Sequence, residues 1–437
     1  MKQYLKDSIC TCGKVHRMDI DDVLIGKGVV GSLPEYIKKY HSQKPFILAD
    51  SNTFAAAGNL VCNLLENSGI DYVKYVFAEK LLEPNEKTVG SAVMHFDATC
   101  DLIIGIGSGV INDIGKILSN ITGKKYIIIA TAPSMDGYAS ATSSMNMDGL
   151  KVSLNSRVAD VIIGDTDILK TAPLHMLKSG IGDMLAKYVS IAEWRIAHII
   201  TGEYYCEQVA ELIRNAVAKC VANAESLMKR DEKAVEAVFE GLVIGGVAMA
   251  YAGVSRPASG VEHYFSHVWD MRGLEFGTQV DLHGIQCAMA TFHSVRLYDK
   301  LKTIKPDIAK AECFVKDFSY ENWKGQLRSF LGNSAETMIA QEAKERKYDK
   351  STHSARYAII ERNWNNILQI LEEELPTVEA LSGIMDTLGI SKDLHMIGVD
   401  SSIAKMTFKA TKDIRDKYVL SRLAWDLGVL DELSELL

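Results

Sequence analysis

An α/β N-terminal half, built on a parallel sheet flanked by helices, followed by an all-α C-terminal half, is the fold class this 437-residue sequence predicts. Three observations predict it. Up to residue 165, short β-branched runs alternate with helix-length stretches. Those runs are apolar throughout rather than alternating, as strands covered on both faces are. After Thr171-Ala172-Pro173 strand patterns almost vanish and long helical periodicities replace them. The expected boundary therefore lies near residue 170, between an NAD(P)-binding domain at 1–170 and a helical metal- and substrate-binding domain at 171–437.

In chain order, Lys44-Pro45 introduces a first strand at 46–50 (FILAD), and small residues at 53–68 predict a helix. A strand at 72–77 (YVKYVF) and a polar helix around 83–95 follow. Asp101 opens the run LIIGIG, which leads through a glycine turn into a helix at about 111–120. Further buried strands are expected at 126–130 and 161–165. Helices are then expected at 173–199, 205–229, 233–252, 261–270 and 283–298. Residues 241–255, rich in glycine and alanine, read as a tightly packed buried helix. The charged stretch 340–370 reads as a solvated helix pair or loop, because acidic residues interrupt its basic ones.

Charge and hydropathy exclude several function classes. With 48 Lys+Arg against 56 Asp+Glu the net charge is −8, which gives no global attraction to nucleic acid or an anionic membrane. The longest uncharged runs fall short of the roughly 20 apolar residues that span a bilayer. The first residues, MKQYLKDSIC, lack the apolar core of a signal peptide, so a cytoplasmic protein without membrane insertion is expected. Eight cysteines, at 10, 12, 62, 100, 206, 220, 287 and 313, are too sparse for a disulfide scaffold. Cys10, Cys12 and His16 form a CxCxxxH group with zinc-binding residue types. It lacks a second half at zinc-site spacing and reads first as a local turn with buried thiols.

Three segments carry chemistry. Gly107-Ser108-Gly109-Val110-Ile111 follows a buried strand and opens a helix, where glycines admit a pyrophosphate and the helix N-terminus attracts it. The spacing is neither GxGxxG nor a P-loop. Thr131-Ala132-Pro133-Ser134, with Asp136 and Ser140 beyond it, is a hydroxyl-rich proline turn suited to phosphate or ribose, or simply a capped turn. Asp183, His263 and His283 are separated in sequence but make a plausible Lewis-acid metal set, with His263 and His267 at i and i+4 on one helical face. Asp183 is expected at the start of a helix.

These segments resemble the glycerol-1-phosphate dehydrogenase family (the AraM-like branch) of the iron-alcohol-dehydrogenase and dehydroquinate-synthase superfamily. The motifs that carry the resemblance are CxCGKxH near the start, ADSNT at 49–53, GSGVINDIGK at 107–116 and TAPSMDGYAS at 131–140. GDTDIL at 164–169, GIGDMLAK at 180–187, SRPASGVEHYFSH at 255–267, HG at 283–284 and the tail at 410–430 continue it in order. The stretch 300–370 contributes little.

The resemblance implies a dehydroquinate-synthase-like fold that binds NAD(P) and one divalent metal, zinc or nickel. It implies Asp183, His263 and His283 as metal ligands. Gly107 to Ile111, Thr131 to Ser134 and Ser140 match cofactor-binding positions, and Asp136, Asp183 and His267 match substrate contacts. Asp183 and His267 are thereby the catalytic candidates. Arg256, beside Ser255 and Ser259, offers a guanidinium for a substrate phosphate, or alternatively pairs with an acid. Asp50 ends a strand, where it can accept from an adenosine ribose and repel a 2′-phosphate, or cap the next helix. NADH is accordingly expected ahead of NADPH. The expected reaction is reversible reduction of dihydroxyacetone phosphate, a small phosphorylated triose, to sn-glycerol 1-phosphate. A metal-dependent polyol dehydrogenase acting on unphosphorylated glycerol is the nearest rival, and a non-catalytic nucleotide-binding protein the rival from another class. A homo-oligomer is compatible with either.

Overall fold

The computed structural model describes residues 1–5, 7–79, 81–148, 150–278 and 280–437. Ten strands are found among them: β1 (Ser8–Ile9), β2 (Val15–His16), β3 (Asp22–Gly26), β4 (Pro45–Asp50), β5 (Val73–Phe77), β6 (Leu102–Gly107), β7 (Lys125–Ala130), β8 (Thr142–Met147), β9 (Leu150–Asn155) and β10 (Val161–Asp165). Six of them form one parallel sheet in the order β3-β10-β7-β6-β4-β5. The four inner strands are almost wholly buried, which is why their sequences are continuously apolar, while the edge strands β3 and β5 are only half-buried.

The chain forms two compact units, Met1–Met184 with Glu211–Val254, and Leu185–Ala210 with Ser255–Leu437. A single cut near 170 does not describe this division, because the helix Glu232–Ala252 packs with the sheet unit. The cause lies in its glycine contacts. A Cβ on Gly164 of β10 would fall 2.1 Å from the Phe239 ring, and one on Gly246 would fall 2.7 Å from the Ala139 Cβ. This helix is long and apolar enough by length and composition to cross a membrane, but 72% of its apolar window is buried within the chain. On the other side, the core joins Ile104, Ile106, Ile127, Ile129 and Ile163 of the sheet to Leu33, Ile37, Val61 and Leu65.

Two strands outside the expected set, β8 and β9, form an antiparallel hairpin. The signal for β9 is readable, because Leu150, Val152 and Leu154 alternate with Lys151, Ser153 and Asn155; β8, mostly polar, gives a weaker one. The expected helix 173–199 is two helices, Leu174–Leu185 and Lys187–Thr201. The second unit is helical throughout, and the charged stretch folds into Ser334–Glu345, Lys350–Arg362 and Trp364–Glu374.

Candidate active site

In the first unit, β6 delivers Gly107 and the helix Gly109–Thr122 begins two residues later. A Cβ on Gly107 would lie 2.4 Å from the Ile111 Cβ, so only glycine lets the first helical turn fold back this closely. Ser108, Val110 and Ile111 therefore present their backbone at a helix N-terminus, where the dipole favours an anion. The Ser108 and Ser134 hydroxyls are 2.6 Å apart, and the Thr131 N–H donates to the Gly107 carbonyl at 3.0 Å. These bonds join the two sequence-predicted turns into one cradle.

The helix Leu174–Leu185 holds the second turn. A Cβ on Gly180 would sit 1.8 Å from the Pro133 carbonyl oxygen, and the Ser179 hydroxyl donates to the Ser134 carbonyl at 2.9 Å. Asp183 follows Gly180 on this helix, fully buried, and its Oδ2 accepts the Asp136 N–H at 2.9 Å. It stands near the helix C-terminal end rather than at a helix start. Pro173 precedes the helix, and Gly180 serves close packing instead of breaking it. Ala132 is pinned through its carbonyl by the Tyr138 hydroxyl at 2.7 Å, and the Ser140 hydroxyl lies 2.9 Å from that of Thr142. Buried Lys116, which sequence reasoning left without a role, donates to the Thr142 carbonyl at 2.5 Å and pairs with Asp113 at 2.8 Å. It fixes the loop after the cradle.

Asp50 caps the helical turn Ser51–Thr53: its Oδ1 accepts from the N–H groups of Asn52 (2.8 Å) and Thr53 (2.9 Å). The capping role is thus real, and the cap uses one carboxylate oxygen.

In the second unit, the helix Val261–Phe276 carries His263 and His267, and His283 is the first residue of the helix His283–Lys302. The His263 and His283 rings are 5.0 Å apart, and His267 is 6.2 Å from His283. His263 Nδ1 lies 2.7 Å from Glu262 Oε1, and His283 Nδ1 lies 3.1 Å from the Ser266 hydroxyl. Engagement of Nδ1 on both rings is the arrangement by which outer partners orient metal-binding imidazoles. Cys287 joins them: its Sγ is 3.5 Å from His283 Nε2, and one ligand atom from each of the three residues lies within 4.8 Å of the others. Burial pushes the Cys287 thiol up, but the flanking His263 and His283 bring it below its ordinary value. This thiol was not among the sequence candidates, although its i+4 spacing from His283 was a readable signal.

Beneath them, buried Glu193 accepts from the Val261 N–H (2.9 Å), the Leu420 N–H (2.8 Å) and the Tyr298 hydroxyl (2.9 Å). Burial, aided by neighbouring Glu262, raises its pKa above the usual carboxylate range. These bonds fix the start of the His263 helix.

Arg256 departs from the phosphate-binding expectation. It is 3% exposed; Nη1 donates to the Tyr418 carbonyl (2.9 Å), Nη2 to Glu203 Oε2 (2.8 Å), and Nε lies 2.6 Å from Glu203 Oε1. A fork-on-fork carboxylate pair already occupies the guanidinium. Lys417 grips the same loop by donating to the Ser255 (3.3 Å) and Ser259 (2.7 Å) carbonyls. The segment 255–259 is held as a structural clamp.

Both implied groups fit the residues present. The Gly107 cradle has the close backbone approach a dinucleotide pyrophosphate needs, and His263 and His283 have the oriented imidazoles a divalent metal needs.

Comparison with known proteins agrees with this geometry. A family model described as iron-containing alcohol dehydrogenase matches residues 24–173. An NAD(P)+ glycerol-1-phosphate dehydrogenase of Halalkalibacterium halodurans is 34% identical over 295 residues, 67% of this chain and 74% of its own length. Proteins of the same name from Bacillus velezensis (31% over 303 residues, 67% and 77%) and Methanosarcina barkeri (31% over 305 residues, 68% and 84%) are also similar. Among solved structures, glycerol dehydrogenase from Schizosaccharomyces pombe superposes with TM-score 0.62 at 16% identity, over 95% of this chain and 90% of that one. Sulfoacetaldehyde reductase from Bifidobacterium kashiwanohense, solved with NAD+, gives TM-score 0.63 at 12% identity, over 97% and 98%. These structures speak for the fold, and the sequence relatives are close enough to show the family. The chain belongs to the NAD(P)+-linked glycerol-1-phosphate dehydrogenases, within the iron-containing alcohol dehydrogenase superfamily.

Proposed function

We propose that this chain interconverts dihydroxyacetone phosphate and sn-glycerol 1-phosphate, using NAD(P)H and one divalent metal. The observation that supports the reading is the His263–His283 pair, rings 5.0 Å apart and each oriented through Nδ1, with the Cys287 thiol beside them. Asp183 is the third ligand, on the strength of the family resemblance. The bound metal supplies Lewis-acid polarisation of the C2 carbonyl, worth several kcal/mol in such sites, and the nicotinamide supplies the hydride.

The chain's own residues bind and orient. Gly107 to Ile111 receive the pyrophosphate at the helix N-terminus, and Thr131 to Ser134 with Ser140 shape the neighbouring wall. Asp50 keeps Oδ2 for a ribose hydroxyl while Oδ1 caps, which favours NADH over NADPH. Asp136, whose backbone holds Asp183, contacts the substrate. His267 would hold the proton that the C2 oxygen takes up on reduction of the ketone to the alcohol. Arg256 is assigned to holding the loop before His263 rather than to the phosphate.

The test is NADH oxidation with dihydroxyacetone phosphate and dihydroxyacetone side by side, and NAD+ reduction with glycerol, each with and without added Zn2+ or Ni2+. Preference for the phosphorylated ketone, dependent on metal, is expected. Preference for the unphosphorylated pair would make the chain a polyol dehydrogenase instead.

A further inference from the structure

The N-terminal hairpin takes no part in this chemistry, yet its side chains point against the hydrophobic effect. Ile9 is 91% exposed and Val15 57%, while Cys10 and His16, at 4% and 2%, are buried. Two residues per strand make β1 and β2 too short to be stable by pairing alone. Something other than apolar burial must hold the inward face.

That face gathers side chains of metal-binding type. The turn Cys10-Thr11-Cys12-Gly13 is closed by the Gly13 N–H on the Cys10 carbonyl (3.0 Å), with Gly13 at φ +86°, where glycine is favoured. The Cys12 N–H points at Cys10 Sγ at 3.4 Å, which fixes the turn and the placement of the Cys10 sulfur. His16 Nδ1 lies 3.1 Å from the Tyr251 carbonyl. A carbonyl only accepts, so Nδ1 carries the proton and the lone pair sits on Nε2. Nε2 is 3.7 Å from Cys12 Sγ. Zinc bonds of about 2.3 Å to sulfur and 2.05 Å to nitrogen, at the tetrahedral angle, place the two donors about 3.6 Å apart. One donor atom from each of Cys10, Cys12 and His16 lies within 4.8 Å of the others. The imidazole also stacks on Tyr251, 4.9 Å between centroids and 17° from parallel.

We propose that Cys10, Cys12 and His16 bind a second divalent metal of the thiophilic class, zinc foremost, which orders the N-terminal hairpin that hydrogen-bonds to the end of the helix Glu232–Ala252. Binding releases the two thiol protons, and two thiolates neutralise the cation. The fourth tetrahedral position goes to a further donor. The helix end receives the hairpin at three further points: His16 on the Tyr251 carbonyl, Lys14 Nζ on the Ala252 carbonyl (3.2 Å) and the Tyr251 hydroxyl on the Tyr4 carbonyl. This site does not depend on the reaction assigned above.

The experiment is metal analysis of the full chain produced with zinc, alongside Cys10→Ser/Cys12→Ser and His263→Ala. The cysteine variant should carry one metal equivalent fewer than the parent and lose the near-ultraviolet thiolate band of the cobalt-loaded protein. His263→Ala should keep that band. Unchanged metal content in the cysteine variant overturns the proposal. A second measurement needs no variant: Cys10 and Cys12 of the parent should be alkylated only after a chelator is added. Equal alkylation before and after, or a Cys10–Cys12 disulfide by intact mass, overturns it equally.

Discussion

Arg256→Ala separates a structural clamp from a phosphate ligand. The substitution removes both contacts to Glu203 and the bond to the Tyr418 carbonyl. Glu203 is left with its carboxyl already pushed up by burial and without Arg256, the strongest group opposing that rise. Breaking a fully buried pair costs about 3–5 kcal/mol. The Glu203 side chain keeps 30% of its surface, so water can share the orphaned charge, and about 2–3 kcal/mol is the expected loss. For a unit of this size that lowers Tm by on the order of 5–10 °C. The assay pairs calorimetry with kcat/KM for phosphorylated and unphosphorylated ketone. Both substrates should lose activity by the same factor, and adding Glu203→Gln should restore much of the Tm. A tenfold or greater loss confined to dihydroxyacetone phosphate, with Tm unchanged, would refute the clamp and return the guanidinium to the substrate.

Further outcomes follow from other sites. His263→Ala and His283→Ala should each lose the catalytic metal and nearly all turnover while keeping their circular dichroism; full metal occupancy in both would remove these ligands from the proposal. Asp50→Asn keeps a capping oxygen but removes the charge, so the NADH:NADPH ratio of kcat/KM should fall about tenfold, and an unchanged ratio would show that Asp50 does not meet the ribose. Gly180→Ala cannot place its Cβ 1.8 Å from the Pro133 carbonyl without moving the turn, so KM for NADH should rise several-fold together with about 1–3 kcal/mol of destabilisation, read by urea unfolding. Burial holds the pKa of His293 down to about 4, and its neutral ring lies 3.0 Å from the Lys392 carbonyl. Because the folded pKa lies below the unfolded 6.5, its stability contribution is complete above pH 6.5 and fades toward pH 4, on the order of 3 kcal/mol in all. His293→Gln should flatten Tm against pH across that window, and identical pH profiles would contradict the assignment.

What the sequence made legible tracks how local the cause is. The inner strands announce themselves because a strand covered on both faces is apolar through its middle, and β4, β6, β7 and β10 are, with charged residues only at strand ends. The glycine turn after β6 was legible for a similar reason: Gly107 is required by a residue only four positions away. The β8–β9 hairpin was not read, although its second strand LKVSLN alternates apolar and polar residues; its first, TSSMNM, is mostly polar and is held by pairing with it. Nor was the assignment of the helix Glu232–Ala252 to the sheet unit. That rests on Gly164 meeting Phe239, a contact between residues 75 apart.

The site shows the same limit more sharply, because a residue's type states what it can do and only its surroundings state what it does. Arg256 has the chemistry for a phosphate and Asp50 that for a ribose, yet in each case the alternative partner weighed from sequence is the one in contact: an acid for the arginine, a helix end for the aspartate. A buried guanidinium cannot wait unpaired for a substrate without a large desolvation cost, so a fully enclosed arginine in this fold should be expected to have a resident carboxylate. The imidazoles behave differently. His263 and His283 each engage Nδ1 with an orienting partner, and a two-nitrogen ring can be held through one nitrogen while the other meets a different group, as His283 Nε2 does with Cys287 Sγ. His16 divides its nitrogens in the same way, with Nδ1 on a carbonyl and Nε2 beside a thiol. The same second-partner logic that supports the proposed ligands His263 and His283 therefore supports the proposed metal site in the N-terminal hairpin, where sequence spacing alone favours a simple turn.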